Sequence, residues 1–97
     1  MFYTYILFSP KLDKFYTGST NDLERRLKDH NRGKTNFTRM GMPWELKYFE
    51  TFNTKGEAVR REMEIKKQKN RQYILQLINR GGSEHPDTSG GSLVRIQ

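Results

Sequence analysis

Residues 2–19, FYTYILFSPKLDKFYTGS, decide the fold. Residues 2–8 are aromatic and β-branched, and the run is too short for a stable helix, so it predicts a strand. SPKLDK then turns the chain, with Pro10 and Asp13 as turn formers. FYTGS predicts a second strand paired with the first as a hairpin. Tyr3, Tyr5 and Leu7 share one face of the first strand, and Tyr16 sits on the second. Gly18 is out of place in a packed strand and marks a point where a backbone or ligand comes close.

Beyond the hairpin, Asn21 with Glu24 has the spacing of a capping box and opens a helix that ends near Arg32, before Gly33. Residues 33–43, GKTNFTRMGMP, have no periodicity and read as a long loop; connections of that length are commonly functional. WELKYFETF, residues 44–52, predicts a third strand with Trp44, Leu46, Tyr48 and Glu50 on one side. Thr54 and Glu57 form another capping box for a helix reaching about Lys69, and Asn70 caps a last helix carrying Tyr73, Ile74, Leu77 and Ile78. The expected architecture is α+β: a small three-stranded sheet flanked by helices in the order β-β-α-β-α-α. It occupies a single domain over residues 1–80. Residues 81–97 are rich in Gly and Ser and predict a disordered tail.

The composition bounds the function. Of 97 residues, 30% are charged and the formal net charge is +7. Glu84 and Asp87 against Arg95 leave residues 1–80 with about +8. Such a balance favours a polyanionic partner, because neutralised phosphates release counterions. The absence of cysteine excludes disulfides and thiolate metal sites. No apolar run approaches the roughly 20 residues of a membrane span, so no membrane partner is expected. No signal peptide is visible, and a cytoplasmic location is the expectation.

Two helices carry a charge where apolar residues belong. With Leu23 at zero and roughly 100° per residue, Leu27 falls at about 40°, Arg26 at about 300° and His30 at about 340°. Arg26 and His30 are thus neighbours one turn apart within the apolar arc, while Arg25 points outward at about 200°. With Ala58 at zero, Ile65 lies at about 340° and Val59 at about 100°. Glu62 falls between them at about 40°, and Glu64 points away at about 240°. A buried guanidinium needs a partner or a cleft. Either Arg26 and Glu62 neutralise each other as a structural ion pair, or Glu62 holds a divalent cation and Arg26 faces a phosphate. Hard Mg²⁺ commonly uses only one or two protein carboxylates.

These residues, in this order, resemble the GIY-YIG nuclease superfamily, and specifically its small single-domain bacterial members. The first family motif resembles YTY at 3–5 and the second YTG at 16–18. STNDLERRLKDHN is similar to the family's arginine-bearing helix, and AVRREMEIKK to its glutamate-bearing helix. Tyr3, Thr4 and Thr17 stand where the family carries glycine and isoleucine. The resemblance implies Tyr5, Tyr16, Arg26, His30 and Glu62 as catalytic residues. Tyr16, or a water it holds, would be the general base, and an isolated phenol has a pKa of about 10. Tyr5 would position water and phosphate, Arg26 would stabilise the transition state, and His30 would orient the tyrosine or shuttle a proton. Glu62 would ligate Mg²⁺ or Mn²⁺. Gly18 would admit the cleaved strand, and the family's late asparagine would be Asn70 or Asn79.

The implied function is a metal-dependent endonuclease acting on DNA, with repair or recombination as the setting. Lys34, Arg39, Lys66 and Lys67 are the expected phosphate contacts, joined by Lys69 and Arg71 on a basic surface. A chain this short leaves specificity to DNA shape or to a partner protein. Two alternatives remain open from the residues alone: a nucleic-acid-binding module that does not cut, and a domain whose Arg26 and Glu62 are merely paired.

Overall fold

A computed structural model describes residues 1–33 and 35–84, with residues 81–84 described in backbone only. The hairpin forms as its residue types predict: β1 (Phe2–Ser9) pairs antiparallel with β2 (Lys14–Thr20). Asp13, with φ 55°, closes the turn in the left-handed region that aspartate tolerates better than most residues. A helix α1 (Leu23–His30) follows, then a short helix α2 (Asn36–Met40), a third strand β3 (Glu45–Phe52), and two helices, α3 (Lys55–Gln68) and α4 (Arg71–Glu84). The sheet order is β2-β1-β3, antiparallel throughout.

As the central strand, β1 is covered on both faces. Tyr5, Leu7, Trp44, Leu46 and Phe49 form a core under Leu23 and Leu27 of α1. Ile6, Ile65 and Leu77 form the other, under α3 and α4, with Phe15, Tyr48, Tyr73 and Ile74 around them. Thr4 Oγ1 donates to the carbonyl of Ala58 at 2.7 Å and ties β1 to α3. In a fully buried strand, a hydroxyl satisfied by a helix carbonyl costs little.

Three local expectations are corrected. The first helix is capped by Asp22, not Asn21: the Asp22 carboxylate accepts from the Arg25 amide at 3.1 Å. A charged cap suits the positive end of a helix, and it moves Glu24 off the capping-box position. The supposed loop at 33–43 contains α2, set by reciprocal bonds between Thr35 and Thr38. Trp44 Nε1 donates to the Thr38 carbonyl at 2.9 Å and fixes this helix over the sheet. Finally, β3 carries a bulge. Leu46 pairs with Leu7 and Tyr48 with Ile6, so Lys47 is the extra residue. The bulge puts Leu46 on the α1 face and Tyr48 with Glu50 on the α3 face, so the four residues expected on one side are divided.

The capping boxes at Thr54 and Glu57 and the cap at Asn70 form as expected. α4 runs to Glu84, past the expected domain boundary at 80. The remainder of the expected tail lies outside the described residues.

Glu50 has a role not read from the sequence. Arg61 of α3 grips it with Nε and Nη2 at 3.0 and 3.1 Å, and Tyr48 donates to the same carboxylate. Arg61 Nη1 also reaches Glu64 and the Tyr73 hydroxyl, joining β3, α3 and α4. Replacing Arg61 with Ala should lower stability by about 2 kcal/mol, the scale of charge-assisted bonds lost from a sheltered carboxylate. Urea unfolding followed by circular dichroism would show it. An unchanged midpoint would mean the network holds nothing together.

Candidate active site

The edge strand β2 alternates its side chains across the sheet. Tyr16 and Gly18, paired with Leu7 and Tyr5, face α1, while Thr17 and Ser19 face α3. Residues from both layers therefore meet along one sheet edge.

Tyr5 is 1% exposed, and its ring stacks on that of Tyr16 at 6.3 Å with 26° between planes. A Cβ at position 18 would stand 2.5 Å from the Tyr5 hydroxyl and 2.7 Å from Cζ. Gly18 is thus bare because Tyr5 fills the space. Gly18 is itself buried. Burial holds the Tyr5 phenol well above its ordinary pKa, Tyr16 and Glu62 reinforcing the rise and Arg26 opposing it. Tyr5 therefore keeps its proton at neutral pH. Arg26 and Ser19 line a common cleft, and Ser19 is bonded to Glu62, so the charges of the two helices lie near one end of β2.

On α1, His30 is 5% exposed, with its ring edge-on to Tyr16 at 4.7 Å and to Trp44 at 5.7 Å. Its Nδ1 lies 3.2 Å from the Arg26 carbonyl, an acceptor, so Nδ1 carries the proton and Nε2 keeps a lone pair. That Nε2 is buried without a hydrogen-bond partner among the described residues. Burial lowers the His30 pKa and the Arg26 charge adds to this, against the Arg26 carbonyl bond and Asp29, which raise it. Arg26 itself is half-buried, and its guanidinium has no hydrogen bond or ion pair among the described residues. With Tyr16, Asp29, His30, Thr35, Phe37 and Thr38 it lines a cleft of about 290 Å³, where Asp29 is paired with Arg32.

On α3, Glu62 accepts from Ser19 Oγ at 2.8 Å and from Lys66 Nζ at 2.6 Å. It does not pair with Arg26, so mutual neutralisation is not how either charge is satisfied. Among the described residues no three His, Cys, Asp or Glu side chains gather around an ion position. One carboxylate beside a hydroxyl nevertheless fits a hard cation that keeps most of its waters and takes phosphate oxygens from its substrate. Lys66 occupies one carboxylate oxygen as a competing cation.

The expected catalytic residues Tyr5, Tyr16, Arg26, His30 and Glu62 thus converge on the β2 edge, while the expected phosphate contacts fare unevenly. Lys66 is bound to Glu62. Lys67 is exposed on α3, and Arg39 folds back onto Asn36 and the Gly33 carbonyl. Lys34 lies outside the described residues. Arg71 is pinned to Asp13 over the Phe15 ring. Asn70 borders a groove with Tyr16, Lys66 and Lys69. Sequence reasoning missed Ser19, although strand alternation from Tyr16 would have put it on the Glu62 side.

Residues 1–74 match the model of the GIY-YIG catalytic domain. A UPF0213 protein of Clostridium perfringens is 49% identical over 80 residues, 81% of this chain and 84% of that one. A UPF0213 protein of Streptococcus agalactiae is 47% identical over 70 residues, 71% of this chain and 78% of that one. The solution NMR structure of the UPF0213 protein BH0048 from Bacillus halodurans superposes with a TM-score of 0.53 at 36% identity, covering 92% of this chain and 95% of that one.

Two outcomes follow from the packing. Gly18→Ala should cost about 1–3 kcal/mol by forcing Tyr5 out of place, measured as a lowered melting temperature; a neutral effect would mean the Tyr5 ring has room to spare. Because the folded His30 pKa is depressed, the unfolded chain takes up its proton first as pH falls. Stability should therefore decline as pH drops below about 6.5, the unfolded value, until the folded pKa is passed. His30→Gln should flatten that part of the profile, and an equally steep decline in the variant would remove His30 as its cause.

Proposed function

Because the chain belongs to the GIY-YIG nuclease family, we propose that it is a divalent-metal-dependent endonuclease that hydrolyses DNA phosphodiester bonds. What supports the reading is the meeting of two phenols, a guanidinium, an imidazole and a carboxylate at one sheet edge, with Arg26 left without a bonded partner among the described residues. An uncompensated guanidinium beside a carboxylate and two phenols suits a phosphate, whose transition state gathers negative charge.

Each residue then has a task. Arg26 faces the phosphate and opposes the charge that builds up on its oxygens. Tyr5 keeps its proton and donates it in a hydrogen bond to water or phosphate. Tyr16 accepts the proton of the attacking water as it passes its own hydroxyl proton to the open Nε2 of neutral His30. Glu62 is the residue that would hold Mg²⁺ or Mn²⁺, with Ser19 fixing the carboxylate rotamer. Such an ion supplies Lewis acidity toward phosphoryl oxygens and lowers the pKa of bound water. In-line attack by water then releases two strand ends. Substrate choice rests on DNA shape or on a partner protein, in repair or recombination.

A second reading has one observation in its favour. Lys66 fills a carboxylate oxygen that an ion would take, as expected of a module that binds nucleic acid without cutting. Turnover separates the two. Labelled duplex, single-stranded, flap and four-way-junction DNAs, incubated with Mg²⁺ or Mn²⁺, should be cut by the native protein and spared with EDTA. Glu62→Gln and Arg26→Ala should each reduce the rate by about 10²-fold or more. Cleavage by both variants at the native rate would refute the assignment, and uncut but tightly bound DNA would establish the binding module.

A further inference from the structure

Arg26 borders a second cleft, on the side away from Tyr16. This cleft of about 230 Å³ lies between the end of β2 and the first turns of α1 and α3, lined by Ser19, Thr20, Asn21, Arg25, Arg26 and Lys55. Three cations face it, and among the described residues none of their side chains makes a hydrogen bond or ion pair. The nearby acids are engaged elsewhere. Asp22 caps the Arg25 amide, Glu57 closes on the Thr54 amide, and Glu62 holds Ser19 and Lys66. Phe2 and Ala58 complete the lining. Gathering three cations without bonded carboxylates raises the free energy of the empty protein, and an anion relieves it.

We infer that this cleft anchors a second backbone phosphate of the nucleic-acid strand, flanking the scissile one, through Arg25 and Lys55. The inference rests on the nuclease reading for the identity of the strand. The cleft shares Arg26 and Ser19 with the catalytic edge, so a strand whose scissile phosphate lies at Arg26 has its neighbour within reach of the other two cations. Arg25 and Lys55 touch no reacting atom. They are positioning residues: they fix the register of the strand against Tyr16 and Glu62, and phosphate contacts of this kind carry no base preference. Helix phase alone sends Arg25 outward to water; the α3 N-terminus beside it turns that exposed position into one wall of a cleft.

The test has a binding arm and a kinetic arm. In metal-free protein with EDTA, a 5′-phosphorylated dinucleotide should shift the backbone amide resonances of Thr20, Asn21, Arg25 and Lys55. The shifts should vanish in Arg25→Gln/Lys55→Gln and persist in Lys11→Gln/Lys14→Gln, which removes equal charge at the hairpin turn. For duplex DNA, the slope of log K against log salt should lessen by about 0.9 in the cleft variant, the value for one phosphate contact. The cleft variant should raise KM about ten-fold and leave kcat within about two-fold, and Lys55→Arg should restore KM. Shifts that survive in the cleft variant, an equal loss in the hairpin control, or a collapse of kcat at constant KM would each overturn the inference. Glu62-dependent cleavage with none of these amide shifts would defeat the cleft and leave the nuclease standing. Cleft-dependent shifts in a protein that cuts nothing would defeat the nuclease and leave the anion site standing.

Discussion

The packing of one tyrosine against one bare backbone position governs the active edge. Tyr5 lies on the central strand, where its ring belongs to the core, yet its hydroxyl extends over the edge strand at Gly18. Gly18 makes both conditions compatible. Any side chain there would meet the phenol at 2.5 Å, so the edge strand gives up a packing contact to let a core residue reach the site. Fold and site consequently share an atom-level constraint, and the strand that carries Tyr16 and Ser19 is positioned by the ring beneath it.

The protein also divides its charges in two. On the α3 face, Arg61, Glu50 and Glu64 satisfy one another with the tyrosines around them, and that network joins three elements. Along the β2 edge Arg25, Arg26 and Lys55 have no bonded carboxylate among the described residues. The paired charges thus hold elements together, and the unpaired ones lie where the proposed substrate would bind. Lys66 is the exception, since it borrows the carboxylate at the centre of the site.

Much of this was legible in the sequence because it depends on period alone. The hairpin follows from the residue types of residues 2–19, and helix phase puts Arg26 and Glu62 within the apolar arcs and Arg25 and Glu64 outside them, as their exposure shows. What escaped depends on contacts between distant segments. The bulge at Lys47 arises from the pairing of β3 with β1, and no alternation within residues 44–52 signals it. Arg61 looks like any exposed helix arginine until β3 brings Glu50 beneath it. Gly18 marks a point of close approach, and the group that meets it is the Tyr5 ring of the neighbouring strand. Thr35 and Thr38 did carry a local capping signal for α2, hidden among glycines and a proline. Arg25 is exposed, as helix phase predicts.

Trp44 gives the site its own optical probe. It is the only tryptophan in the chain, 2% exposed, with its ring 5.7 Å from His30, 6.2 Å from Tyr16 and 5.5 Å from Phe37. An indole so enclosed emits at short wavelength, and an imidazolium at that range quenches it where a neutral imidazole does not. Protonation of His30 is therefore visible as a loss of intrinsic fluorescence, separable from unfolding, which would instead shift the emission to the red.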